Sequence, residues 1–88
     1  MLDRRLALDP QVALRPEPFG ALAYHYGNRR LIFLKHPDVV RVVNVLGDHD
    51  SVADALVACD IDEARWPSFV TALTSLEQSH QLREVVPA

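Results

Sequence analysis

The chain has 88 residues, of which 49% are hydrophobic, with a single cysteine and a net charge of −3. This is enough for one small domain that buries roughly 60% of its unfolded surface, and the lone Cys59 excludes an internal disulfide and suits a reducing compartment. The acidic balance runs against the basic excess with which nucleic-acid binders neutralise phosphates, and no apolar run approaches the ~18 residues of a membrane span.

The opening Met1-Leu2-Asp3-Arg4-Arg5 lacks the apolar core of a signal peptide, so a cytoplasmic protein is expected. Residues 1–10 are expected to fray. Gln11 to Arg15 read as a short strand, and Pro16 and Pro18 suit an edge strand or an extended arm.

Gly20 to Leu34 read as a β-hairpin, with Gly27-Asn28 as a two-residue turn because both residue types tolerate positive φ. Pairing Tyr26 with Arg29 sets Tyr24 opposite Leu31 and Leu22 opposite Phe33. Leu22, Tyr24, Tyr26, Leu31 and Phe33 then share one face. Ala21, Ala23, His25, Arg30, Ile32 and Leu34 share the other. Both faces are substantially apolar, whereas a free hairpin shows one polar face. The second face is therefore expected to lie under loops and the N-terminal arm, or to be kept for a partner. The second arm lacks Pro and is a candidate sheet edge.

Pro37 and Asp38 suit the first turn of a helix. Val39, Val42, Val43 and Leu46 form its apolar stripe, and Gly47 ends it. Its five valines favour a strand by propensity, but the start, stop and spacing are helical. Ser51 with Asp54 approximates a capping box for a second helix carrying Val52, Ala55, Leu56 and Cys59. Asp60 to Arg65 form an acidic connection with a helical turn. Trp66-Pro67 open a third helix with Phe69, Val70, Leu73, Leu76 and His80 on one face. Leu82 to Val86 are an extended tail. The order predicts an α+β domain, a small three-stranded antiparallel sheet followed by three helices packed on one face.

Catalytic chemistry is scarce. His25, His36, His49 and His80 show no metal-binding spacing, and one cysteine supplies no zinc set. Asp48-His49-Asp50-Ser51 holds triad residue types, but sequential neighbours rarely converge on one reacting atom, and cap and turn chemistry accounts for them. No glycine-rich phosphate loop is present, and no cofactor or metal is expected. Cys59, on an apolar stripe, reads as an inert core thiol.

Three features, in order, resemble the PqqD-like family of RiPP recognition elements, over most of residues 12–84. They are the run Gly27 to Pro37 leading into a helix, the Gly47 turn before Ser51-Val52-Ala53-Asp54, and Phe69, Leu73, Leu76 and Leu82 in the last helix and ending. The chain departs from the family where Leu34-Lys35 replaces a Leu-Asn pair and His80-Gln81 replaces a Gly. Arg15 to Phe19, Tyr24 to Gly27 and Leu31 to Pro37 look like the mycofactocin branch of the family.

The resemblance implies a winged-helix-like, non-catalytic chaperone covering residues 1–88. It implies that the leader of a ribosomally made precursor peptide binds as an added strand between the hairpin's second arm and helix three. The chaperone would present that peptide to a radical SAM maturation enzyme, which itself carries the iron–sulfur clusters and S-adenosylmethionine. In the mycofactocin system that enzyme modifies a C-terminal Val-Tyr.

Leader contacts are expected at Arg29, Arg30, Leu31, Ile32, Phe33, Leu34, Arg65, Phe69, Leu73 and Leu76. Main-chain hydrogen bonds would give affinity, and Arg29, Arg30, Lys35 and Arg65 would attract an acidic leader. Leu22, Tyr24, Tyr26 and Trp66 are candidates for docking the enzyme or a second copy. Neither nucleic acid nor membrane is an expected partner. Two alternatives stand beside this: a winged-helix DNA-binding regulator, whose recognition helix at Trp66–Leu82 would lack any Lys or Arg, and a dimerising structural module.

Overall fold

Two antiparallel sheets and three helices make up residues 1–86, the portion that the computed structural model describes. Strands β2 (Val12–Glu17), β3 (Gly20–His25) and β4 (Leu31–Leu34) form a sheet in that order. Helix α1 (Pro37–Val45) follows and runs into a 3-10 turn over Leu46–Asp48. Helix α2 (Val52–Ala58), a 3-10 turn over Glu63–Arg65 and helix α3 (Trp66–Gln78) come next. The last strand, β5 (Leu82–Glu84), pairs with β1 (Leu6–Leu8), so the two ends of the chain meet.

This corrects the expectation of a frayed start. Leu6 is completely buried in the main core with Val42, Val43, Leu46, Leu56, Leu73 and Leu82. Arg4 reinforces the closure. Its guanidinium donates to both carboxylate oxygens of Glu77 on α3, one bond measuring 2.9 Å, and its Nε donates to Glu84 on β5 at 3.0 Å. The fork geometry matches a carboxylate bidentately. The Arg4 hydrogen bonds hold the Glu77 carboxyl below the usual carboxylate range.

The β3–β4 register is the expected one, with Tyr24 opposite Leu31 and Leu22 opposite Phe33. The turn differs. It is not the two-residue Gly27-Asn28 turn but a four-residue loop, closed where the His25 N–H donates to the Arg30 carbonyl. The positive φ falls on Arg29, at 61°. His25 explains the wider loop, because its Nδ1 accepts from the N–H groups of both Gly27 and Asn28. Widening by one residue on each side leaves the pairing parity unchanged.

A second hairpin, between β2 and β3, turns through Pro18-Phe19 with Glu17 opposite Gly20. Gly20 is required there, since a Cβ would stand 1.7 Å from the Leu34 carbonyl oxygen. Pro16 occupies the outer strand of the sheet, as its missing N–H demands.

The helix starts act as expected, but the Gly47 stop does not, because Gly47 sits inside the 3-10 turn that continues α1 and lacks the left-handed φ of a capping glycine. His36 Nδ1 accepts from the Asp38 N–H at the start of α1, and Ser51 Oγ accepts from the Asp54 N–H at the start of α2. Both α2 and α3 end in Schellman motifs without glycine. In α2, Asp60 takes φ 57°, with Asp60 N–H bonded to the Val57 carbonyl and Ile61 N–H to that of Leu56. In α3, His80 takes φ 63°, with His80 N–H bonded to the Glu77 carbonyl and Gln81 N–H to that of Leu76. His80 thus fills the left-handed position that glycine most often takes at a helix end.

Two expectations follow. Asp60→Gly and His80→Gly should each raise stability by about 0.5–1 kcal/mol, the left-handed penalty less the entropy glycine adds to the unfolded chain. Thermal unfolding would show this as an upward shift, and an unchanged midpoint in both variants would refute it. Glu77, with its folded pKa lowered, contributes stability that is full above the unfolded carboxylate value and lost as pH falls through the folded one. Denaturant titrations below about pH 4.3 should therefore show a shallower acid loss for Glu77→Gln than for the unaltered protein.

Candidate functional site: the free edge of β4

Backbone parity decides what β4 offers. The Tyr26 N–H donates to the Gln11 carbonyl beyond the start of β2, whereas the His25 N–H donates toward β4. Odd-numbered residues of β3 therefore bond β4, and their partners Ile32 and Leu34 point their amides inward. The N–H and C=O groups of Leu31 and Phe33 face away from β3, and β4 is the last strand of its sheet. The edge expected over Arg29–Leu34 is thus shorter. Arg29 lies in the loop and Arg30 closes it, the Arg29 N–H being taken by the His25 carbonyl and the Arg30 N–H by Asn28 Oδ1.

Side chains alternate across this edge. Ile32 and Leu34 face the helices, while Leu31 and Phe33 stand on the outer face, 60% and 40% exposed. Between the edge and α3 runs a groove of about 320 Å³, lined by Ile32, Leu34, Val39, Ala72, Ser75 and Leu76, with Phe33, Lys35 and His36 at its rim. A second recess of about 310 Å³ adjoins it through His36 and Val39 and reaches Arg65, Ser68 and Phe69.

The sequence-derived site residues divide accordingly. Ile32, Phe33, Leu34 and Leu76 meet at the groove, while Leu31 stands on the outer face beside the free edge. Leu73 is fully buried in the core and lines neither recess; this corrects its assignment to the groove wall. Phe69 is core at 3% exposure and shows only an edge to the second recess. Ala72 and Ser75 line the groove but carry no signal in sequence beyond being small. Their size is what leaves the space.

Of the charged groups, Lys35 lines this groove and the arginines stand around it. Lys35 is exposed at its rim, and Arg29 and Arg30 are exposed at the loop. Arg65 lies over the Phe69 ring at 5.3 Å and donates to Asp38 at 2.9 Å. That hydrogen bond holds the Asp38 carboxyl below the usual carboxylate range, with Arg41 and His36 adding to the effect. Arg65, Arg41 and Asp38 together leave one positive charge beside the second recess.

The outer sheet face is open. Tyr24 and Tyr26 meet edge to face at 5.1 Å, and Tyr26 is 63% exposed. The N-terminal arm does not cover this face, because β1 pairs with β5 and packs against α1. Trp66 takes a different role from these residues. It packs against the core, and its indole N–H donates to the Ile61 carbonyl at 3.0 Å, fixing the start of α3. Among the described residues no cluster of His, Cys, Asp or Glu is arranged to hold a metal ion, and no helix is long and apolar enough to cross a membrane.

The sequence pattern of the peptide chaperone MftB family matches residues 5–83. A peptide chaperone MftB from Mycobacterium ulcerans is 46% identical over 80 residues, spanning 91% of this chain and 73% of the relative. Its namesake from Mycolicibacterium smegmatis is 49% identical over 75 residues, 85% of this chain and 74% of the relative. The one from Mycobacterium tuberculosis is 42% identical over 80 residues, 91% and 73%. No solved structure matches.

The division between core and groove is measurable. Leu73→Ala and Phe69→Ala should each lower stability by about 2–5 kcal/mol in urea unfolding. Ser75→Ala, at the groove, should stay within about 0.5 kcal/mol. A Leu73→Ala variant of full stability would remove Leu73 from the core.

Proposed function

The chain belongs to the peptide chaperone MftB family, and from that footing we propose that it binds the leader of the mycofactocin precursor peptide as a strand added to β4 and presents it to a radical SAM maturation enzyme. The observation that supports this most directly is the pairing of a free strand edge with an apolar groove alongside it. Neither half suffices alone. An edge without a groove would pair with any extended chain, and a groove without an edge would not fix the direction of the ligand backbone.

The leader pairs with the outward N–H and C=O groups of Leu31 and Phe33, each main-chain hydrogen bond contributing about 0.5–1.5 kcal/mol net. Alternate side chains of the added strand then point opposite ways. Those directed inward enter the groove against Ile32, Leu34, Ala72 and Leu76, so the leader carries apolar residues two apart. Those directed outward extend the Leu31–Phe33 surface. Arg29, Arg30 and Lys35 draw an acidic leader to the edge, a surface effect of ~0–1 kcal/mol per pair that governs encounter more than residence.

The chaperone works in the cytoplasm and is itself non-catalytic. It supplies binding and orientation, and the enzyme supplies the S-adenosylmethionine and iron–sulfur chemistry. The open face of Leu22, Tyr24 and Tyr26 lies next to the occupied edge and is where the enzyme docks. A DNA-binding role has little to stand on, because α3 contains no Lys or Arg and its Glu77 is tied to Arg4.

Phe33→Pro tests the edge. It removes one outward donor without removing a bond to β3, whereas Ile32→Pro would unzip the hairpin. Calorimetric titration with a synthetic mycofactocin precursor leader should show affinity weakened about tenfold or more, with the unfolding midpoint near that of the unaltered protein. A folded Phe33→Pro protein that binds as tightly as before would refute strand addition at β4. Arg30→Glu should weaken the same titration a few-fold, more at low salt than at high, and salt-independent, unchanged affinity would remove charge from the account.

A further inference from the structure

Gln81 is fully buried, yet only half of its carboxamide is used. Nε2 donates to the Arg30 carbonyl at 3.3 Å, while Oε1 has no hydrogen-bond partner among the described residues. An orphaned buried acceptor is destabilising, so an apolar side chain of the same shape would serve folding at least as well. The backbone aims this side chain firmly. His80 reverses the chain in the left-handed conformation, the Gln81 N–H donates to the Leu76 carbonyl, and the Gln81 carbonyl accepts from the Asp9 N–H. The donor is thus held at the end of α3 and reaches the residue that enters β4.

Asn28 makes a contact in the opposite direction. Its Nδ2 donates to the Ser79 carbonyl at 3.4 Å, while its Oδ1 accepts from the Arg30 N–H at 2.8 Å. Two carboxamides therefore connect the β3–β4 loop to the end of α3, one from each side. At the far end of α3, the Asp38–Arg65 pair joins its beginning to the beginning of α1.

We propose that Gln81 and Asn28 are positioning residues that hold the tip of the β3–β4 hairpin against the end of α3, and so set the width of the groove before a peptide arrives. The proposal rests on the leader-binding reading above. A hairpin pinned at its base alone would sample several widths, and binding would have to select one. Holding the width in advance reduces that ordering cost. It also accounts for a polar side chain at a position where folding favours an apolar one.

Gln81→Met keeps the length and removes both the donor and the orphaned acceptor. Asn28→Asp keeps the acceptor for Arg30 and removes the donor to Ser79. The two variants and their combination would be compared by unfolding, by amide hydrogen exchange and by titration with the synthetic precursor leader. Gln81→Met should unfold at or above the midpoint of the unaltered protein. In the double variant, amides of the β3–β4 hairpin should exchange about tenfold faster, and the leader should bind about fivefold more weakly. Hairpin exchange at the original rate in the double variant would overturn the proposal. So would a Gln81→Met protein destabilised throughout, since Gln81 would then be a core residue only. Faster hairpin exchange with unchanged leader affinity would uphold the clamp and overturn instead the placement of the leader on β4.

Discussion

The amides of Leu31 and Phe33 point away from the sheet, and the arrangement of the rest of the molecule follows from leaving them free. A strand edge is a liability, because any extended chain can pair with it. Here the exposure is short. β4 has four residues, of which only two present outward groups, and the loop that precedes it is closed by its own side chains. What distinguishes this edge from an ordinary short one is α3 standing alongside, with Ala72 and Ser75 too small to fill the gap.

That placement of α3 depends on the two ends of the chain. β1 and β5 pair with each other, Leu6 and Leu82 enter the core, and Arg4 binds carboxylates on both α3 and β5. A domain of this size has little core in reserve. The terminal strands thus tie down the end of α3, through β5 and through Arg4 on Glu77, in addition to the core packing of Phe69, Leu73 and Leu76. The same pairing takes the N-terminal arm away from the outer sheet face, where Leu22 and Tyr24 are half-buried and Tyr26 is exposed.

Local signals in the sequence proved strong where one residue settles one hydrogen bond. Ser51 caps α2, Pro37 and Asp38 open α1, and Val52, Ala55, Leu56 and Cys59 turn to the core together. The hairpin register was also legible, because side-chain alternation and parity fix it whatever the exact length of the turn. The turn itself is not legible, because its shape comes from a histidine side chain, His25, that accepts from the loop amides. The pairing of the termini was not legible, since three-residue strands 76 positions apart leave no periodicity to read.

The sequence by itself determined the elements from β2 to α3, the two faces of the hairpin and, through its family motifs, the class of protein. These rest on local propensity, spacing and turn chemistry, which act within a few residues. Only the tertiary structure decided which backbone groups are free, that Leu73 belongs to the core while Ala72 and Ser75 make the groove, and that Gln81 reaches back to Arg30. Those outcomes depend on how far apart distant segments are held. That distance is a sum over the whole packed core rather than a property of any one stretch of chain.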